Sequence, residues 1–407
     1  MKIIDGGVTA PKGFSAAACS ARIKYEGRND MAMIYSQVPC QVAGCFTRNV
    51  VKAAPVLWDR DIVEKSPYAQ AVVVNSGIAN ACTGKEGLDC CQKTAAKASS
   101  LLNIPEASVL IGSTGVIGMQ IPVDRIEKGI ELLAAGLGDS REKAGEAARA
   151  IMTTDTVSKE VAVTLDIKGK SVTIAGMCKG SGMIHPNMCT MLAYVTTDAA
   201  ISKELLTKAT KASVDDSFNM ISVDGDTSTN DTYLVMANGL AGNEEIDKED
   251  EAYESFLEAL MYVNTTLAKK MAGDGEGATA LFEVKVTGAD SVENAKILAK
   301  SVITSSLTKA AIFGHDANWG RILCALGYSG VDFDPEKMEL YFVGRDKKML
   351  IFKDGCAVDY SEEEASKILS EPEVTVVADM KMGNESATAW GCDLTYDYVK
   401  INADYRS

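Results

Sequence analysis

The stretch KGSGMIHPNMCTML, Lys179 to Leu192, sets a lysine and two glycines ahead of an apolar run and places Thr190 inside that run. Glycine lets a backbone turn tightly or come close to a ligand. The residues that follow, MLAYVTT, favour a buried strand. A hydroxyl at the mouth of a rigid strand, behind a Gly-containing segment with Pro186, suits a nucleophile released by cleavage of the chain. The α-amino group of such a threonine takes the hydroxyl proton itself. It titrates at roughly 7.7 to 8, so a good share is neutral near physiological pH. A threonine that opens a strand is also an ordinary β-former or cap, and composition alone leaves both readings open.

The rest of the chain narrows the chemistry. It holds only two histidines, His185 and His315, so a His-dependent triad or a multi-histidine metal site has few candidates. No G-x-S-x-G elbow, H-E-x-x-H or phosphate-binding G-x-x-x-x-G-K-[ST] occurs. The glycines at 273, 275 and 277 precede a strand-like run rather than a helix, which argues against a dinucleotide fingerprint. His185 lies five residues before Thr190 and reads as a loop residue, because a free amine makes it redundant as a base. Acyl transfer also needs donors for a developing oxyanion, and backbone amides of a Gly-rich turn supply them. GSTGVIG, Gly112 to Gly118, follows the strand-like ASVLI and could present Thr114 and Gly115; it could equally be a plain tight turn.

Length and composition fit a soluble enzyme of two or three domains: 407 residues, 46% hydrophobic and 24% charged. A net charge of -15 speaks against nucleic acid or an anionic membrane as partner. No apolar run has the length of a membrane span, and MKIIDGG lacks a signal-peptide pattern, so a cytoplasmic location is expected. The eleven cysteines are scattered, with no C-x-x-C. Reduced thiols are expected, many in apolar settings such as Cys324 in RILCALGY, and no metal.

Strand-like runs (QAVVVN, EVAVTLD, TMLAYVTT, TYLVMA, LFEVKVTG, MELYFVG, EVTVVADM, DLTYDYVKIN) are interspersed with amphipathic helical patterns. Ser361 with Glu364 forms a capping-box signal for SEEEASKIL. The mixture indicates an α/β or α+β fold. A domain boundary is expected near residue 280, giving a main domain 1–280 and a smaller α/β domain 281–407.

With these segments together, the chain resembles the ornithine acetyltransferase (glutamate N-acetyltransferase) family. The resemblance runs through GGVTAPKGF (Gly6–Phe14), VVVNSGIANACTG, GSTGVIG, TTDT (Thr153–Thr156) and KGSGMIHPNMCTMLAYVTTDA. It continues through SVDGDTSTNDT (Ser222–Thr232), GEGAT (Gly275–Thr279), FGHDANWGRI (Phe313–Ile322) and the tail AWGCDLTYDYVKINADYRS. It implies a layered α/β sandwich related to self-processing N-terminal-nucleophile-like enzymes. It implies self-cleavage between Cys189 and Thr190 into an α chain, 1–189, and a β chain, 190–407, assembled as α2β2. Thr190 would then carry the acetyl group from N-acetylornithine to glutamate in a ping-pong cycle of arginine biosynthesis, without cofactor or metal. Whether acetyl-CoA also serves as donor stays open.

By the same resemblance Thr114, through its hydroxyl, and Gly115, through its amide, form the oxyanion hole. Thr153, Lys179, Thr190, Glu276, Asn402 and Ser407 contact substrate. Lys179 suits the α-carboxylate of N-acetylornithine and Glu276 its side-chain ammonium. Two positions depart from the family pattern: Cys189, where a smaller Ala or Gly is usual, and Ala280, where lysine is common. The competing readings are a self-processing amide hydrolase or aminopeptidase, in which water takes the acyl group, and a non-catalytic cysteine-rich metal or redox protein.

Overall fold

The computed structural model describes residues 1–185 and 191–404. Expectations that fall on Pro186, Cys189, Thr190 and Ser407 lie outside the described residues. The chain begins β1 (Lys2–Ile4), β2 (Phe14–Cys19), β3 (Met31–Phe46), α1 (Ala54–Lys65), β4 (Ala69–Ile78) and α2 (Gly84–Leu102). It goes on through β5 (Val109–Val116), α3 (Val123–Gly136), α4 (Arg141–Ala150), β6 (Lys159–Ile167), β7 (Lys170–Lys179) and β8 (Leu192–Thr197). Next come α5 (Lys203–Asp215), β9 (Ile221–Ser222), β10 (Thr232–Ala237), α6 (Glu251–Gly273), β11 (Leu281–Ala289) and α7 (Val292–Thr304). The last part holds α8 (Ser306–Phe313), α9 (Trp319–Gly327), β12 (Glu339–Val343), β13 (Lys348–Lys353) and β14 (Cys356–Ala357). It closes with α10 (Glu362–Leu369), β15 (Glu373–Asp379), β16 (Glu385–Cys392) and α11 (Tyr396–Ala403).

The first compact unit comprises 1–180, 186–219 and 227–267. Its sheet runs in the order β1-β6-β7-β8-β10-β3-β4-β5, with β2 added on β3. The pairs β4·β5 and β8·β10 are parallel and the others antiparallel. Every residue of β4 is buried, and they divide by the period of two. Val72 and Val74 enter a core with Ala144, Ala147 and Ala148 of α4. Ala71 and Val73 enter another with Cys90 and Ala95 of α2 and Ile126 and Ile130 of α3. Helices thus cover both faces, which is why QAVVVN is a continuous apolar run rather than an alternating one.

The second unit comprises 181–185, 220–226 and 268–407. Its sheet runs β14-β13-β12-β15-β11-β16-β9. Helix α7 buries Ala295, Leu298, Ala299, Val302 and Ile303 and packs on β11 and β16. Each fully buried Leu or Val there contributes roughly 1.5–3 kcal/mol.

Several expectations need correction. The units divide inside α6 rather than near residue 280, and two short earlier segments belong to the second unit. A continuous helix carries the chain through that point, so no change of composition marks it. DLTYDYVKIN forms α11, not a strand: Tyr396 and Val399 are 85% and 67% exposed, so its alternating apolar residues have no core to face. The apolar spacing of SVENAKILAKSVITSSLTKAAIF predicts one helix, whereas the chain forms two, because Ser305 caps the second, accepting from the Thr308 amide. Ser361 does cap α10, accepting from the Glu364 amide. Cys324 is exposed on the outer face of α9, not a core residue. No disulfide joins any two of the ten described cysteines.

Candidate active site

Strand β7 ends at Lys179 and β6 begins at Lys159, and the antiparallel register pairs Lys159 with Cys178. That pairing brings the TTDT segment, just before β6, beside the residue that follows β7. Asp155 exploits it. One carboxylate oxygen accepts from Lys159 Nζ at 2.7 Å and from the Gly180 amide at 2.7 Å; the other accepts from the Thr153 amide at 3.1 Å. Burial pushes the Asp155 carboxyl up, but Lys179 and Lys159 outweigh it and hold the group down at about 2. Asp155 is therefore ionised at neutral pH.

Lys179 is 8% exposed, so it is no solvated surface charge, and its ammonium donates to Thr114 Oγ1 at 3.2 Å. Thr114 and Gly115 do not lie in a turn after a strand, as the glycines of GSTGVIG suggest, but within the end of β5. The cause is the partner strand: Gly115 pairs with Gly77 of β4. Gly115 adopts φ +130°, and a Cβ on it would sit 2.2 Å from the Gly77 carbonyl carbon. Two facing glycines thus let the strand continue where larger residues would end it. The strand end is fixed from behind, since Ser113 Oγ donates to Asn75 Oδ1 at 2.6 Å and Asn230 Nδ2 donates to Ser113 O at 2.8 Å. Thr114, Gly115, Thr153 and Lys179 thus come together in the first unit around Asp155.

A model of the ArgJ family matches residues 15–407. The chain belongs to the ArgJ family. An arginine biosynthesis bifunctional protein ArgJ from Thermotoga neapolitana is 50% identical over 398 residues, 98% of this chain and 99% of its own. Its counterpart from Caldanaerobacter subterraneus is 49% identical over 407 residues, all of both chains. A solved ArgJ chain from Bacillus halodurans is 46% identical with a TM-score of 0.50; it covers 52% of this chain and is itself matched over 97%.

Two further residues of the family-like segments gather in the second unit of this ArgJ chain. Glu276 is 6% exposed, its amide donates to Ser181 O at 3.1 Å, and its Oε2 accepts from Asn402 Nδ2 at 2.6 Å. Asn402 stands on α11, so the helix that the sequence pattern hides is what presents it. Gly182 explains one glycine of KGSGM: a Cβ there would lie 2.4 Å from the Glu276 carboxylate. Asp224 accepts from the Met183 amide at 2.6 Å and the Ile184 amide at 2.8 Å, fixing the segment's course. Burial first, then Asp224 and Glu276, push the Tyr398 hydroxyl up. His185 is half-buried with Nδ1 3.1 Å from Ser222 Oγ. Burial and then Lys300 lower it to about 4, which leaves it neutral.

Sequence reasoning did not single out Asp155 or Asp224. Both lie in quoted segments, TTDT and SVDGDTSTNDT, and an acidic residue among hydroxyls is a signal only when a buried cation is known to face it. No helix among the described residues is long and apolar enough to cross a membrane.

Proposed function

We propose that this chain is a self-processing acetyltransferase that moves the acetyl group of N2-acetylornithine to glutamate through an acetyl-enzyme on Thr190. Cleavage between Cys189 and Thr190 frees the α-amino group of Thr190. That amine takes the hydroxyl proton as Thr190 Oγ attacks the acetyl carbonyl, and the Thr114 hydroxyl and Gly115 amide receive the oxyanion. Collapse expels ornithine with the proton, and glutamate's amine then takes the acetyl group from the Thr190 ester. Lys179 meets the α-carboxylate that both substrates share; Glu276, with Asn402, meets the ammonium of ornithine. Thr153 and Ser407 complete the contacts, and the two chains assemble as α2β2 in the cytoplasm. Acetyl-CoA is proposed as a second donor, with no resident cofactor.

The observation that carries this is the buried Lys179, donating to Thr114 and backed by an ionised Asp155, in a chain that belongs to the ArgJ family. The 52% span of the solved Bacillus halodurans chain is in keeping with a precursor that ends as two chains. The test is turnover of acetyl-labelled N-acetylornithine with and without glutamate. Label passing to N-acetylglutamate, with little free acetate, supports the transferase. Acetate released at the same rate in both would mean a hydrolase, and no turnover would refute the activity.

A further inference from the structure

The segment between β2 and β3, residues 20–30, carries Lys24 and Arg28, and the acyl-transfer scheme uses neither. Its base is rigid, since Asp30 accepts from the Ala21 amide at 2.7 Å and from the Ile23 amide at 2.6 Å. The segment lies against the end of β4: a Cβ on Gly77 would sit 2.9 Å from Lys24 Cβ and 3.3 Å from the Tyr25 ring. Gly77 is the register partner of Gly115, and Ser76 that of Thr114. The Ser76 amide donates to Asp30 O at 2.9 Å, and its hydroxyl donates to Ala150 O, at the end of α4, at 2.8 Å. The 20–30 segment and the end of α4 are thus fixed with respect to the oxyanion pair, all within the first unit.

An open cavity of about 410 Å³ lies here, lined by Arg28, Asn29, Glu146, Arg149 and Met152. That volume suits a ligand larger than a single carboxylate. Arg28 is held by bonds from Nη2 to Met152 O at 2.5 Å and from Nε to Asn29 O at 3.4 Å, and by the Tyr25 ring 4.7 Å away. Those two bonds leave the rest of its five N–H donors for a ligand. Arg149 is exposed, and among the described residues neither guanidinium forms an ion pair. The carboxylate on the cavity wall, Glu146, is itself paired with Lys143 at 3.1 Å. Two guanidiniums without a counter-charge therefore border a cavity whose wall residue Met152 immediately precedes Thr153.

We propose that this cavity anchors the phosphate groups of a phosphorylated acyl donor, a coenzyme A thioester, whose acyl end reaches Thr114 and Gly115. The inference deepens the function given above, in which acetyl-CoA is a second donor. Guanidiniums match phosphate oxygens bidentately, which an ammonium does not. Coenzyme A joins its phosphates to its thioester by a long flexible arm, so its anchor belongs apart from the acyl centre yet fixed to the same strand end. N-acetylornithine carries no phosphate and does not use the anchor. In the step served, Thr190 Oγ bonds to the thioester carbonyl carbon as the C–S bond breaks. The hydroxyl proton passes through the α-amino group to the departing sulfur, giving coenzyme A and the acetyl-enzyme.

The experiment follows both donor reactions, with glutamate as acceptor, in native protein, Arg149→Ala and Arg149→Lys, and titrates each protein with coenzyme A by calorimetry. In Arg149→Ala the KM for acetyl-CoA and the Kd for coenzyme A are expected to rise about ten-fold, while kcat and KM with N-acetylornithine stay within about two-fold. Lysine keeps the charge and is expected to recover part of the loss. S-acetylpantetheine, which lacks phosphate, is expected to bind the native protein at least about ten-fold more weakly than coenzyme A, whose own binding weakens with added salt. An unchanged KM for acetyl-CoA in Arg149→Ala, or S-acetylpantetheine bound as tightly as coenzyme A, would overturn the proposal. So would inorganic phosphate bound as tightly as coenzyme A, the mark of a simple phosphate site. A native protein active with N-acetylornithine that neither binds coenzyme A nor accepts acetyl-CoA would overturn it as well, and the transfer to glutamate would stand without it. Inactivity with both donors would bring down the underlying function, and this proposal with it.

Discussion

Lys179 and Glu276 are almost equally hidden, at 8% and 6% exposure, yet they are held by different means. Lys179 ends a central strand and is locked into a charge cluster, where Asp155 compensates two ammonium groups and pins two backbone amides. Glu276 sits in a loop whose approach to Gly182 and bond to Asn402 depend on a single glycine and on α11, an outlying helix with no fully buried residue. The first arrangement binds site geometry to fold stability. The second separates them, so its substitutions should damage substrate binding while sparing the fold.

The sharpest challenge to that contrast is Asp155→Asn. It removes the buried carboxylate that Lys159 bonds at 2.7 Å, and breaking such a buried pair costs about 3–5 kcal/mol. Denaturant unfolding should show a loss of that size together with loss of turnover. A variant with native stability would mean that Lys159 and Lys179 need no counter-charge. Gly115→Ala should follow, at about 2–4 kcal/mol, because φ +130° and the clash with the Gly77 backbone cannot be relieved by a side-chain movement. Gly182→Ala should behave otherwise. Its new methyl meets only the movable end of Glu276, so stability should change by less than about 1 kcal/mol while KM for N-acetylornithine rises about ten-fold. Asn402→Ala should give the smallest change, about 1 kcal/mol or less in stability, with a KM increase of a few-fold.

Acid should separate the two regions as well. His185, in the second unit, has its ordinary value of 6.5 lowered to about 4. The unfolded chain therefore binds the proton more readily between those values, and stability is present above pH 6.5 and lost as pH falls toward 4. Asp155, in the first unit, is lowered from 3.8 to about 2, so its contribution is present above pH 3.8 and lost as pH falls through about 2. Thermal unfolding against pH should soften in that order, and His185→Asn should flatten only the upper part.

The same contrast explains what could be read in advance. TYLVMA announces itself because every residue of β10 is buried and the run is almost wholly apolar, and EVAVTLD because its Val and Leu are buried while Glu160, Thr164 and Asp166 alternate with them. The strand β3, with its register shift between Tyr35 and Cys40, escapes notice because Pro39 and Gly44 interrupt its pattern. Family-like segments point to Lys179 and Glu276, but not to what holds them. Asp155 becomes visible only once the β6–β7 register sets Thr153 and Gly180 side by side. The alternation of aromatic and β-branched residues predicts a strand at Asn402, a pattern that holds only where there is a core to bury it.

The most direct test of the central claim is the intact mass of untagged protein under denaturing conditions, before and after N-acetylornithine is added. The account predicts two polypeptides, 1–189 and 190–407, with an acetyl increment on the second that glutamate removes. A single uncut chain that never gains that increment would contradict it.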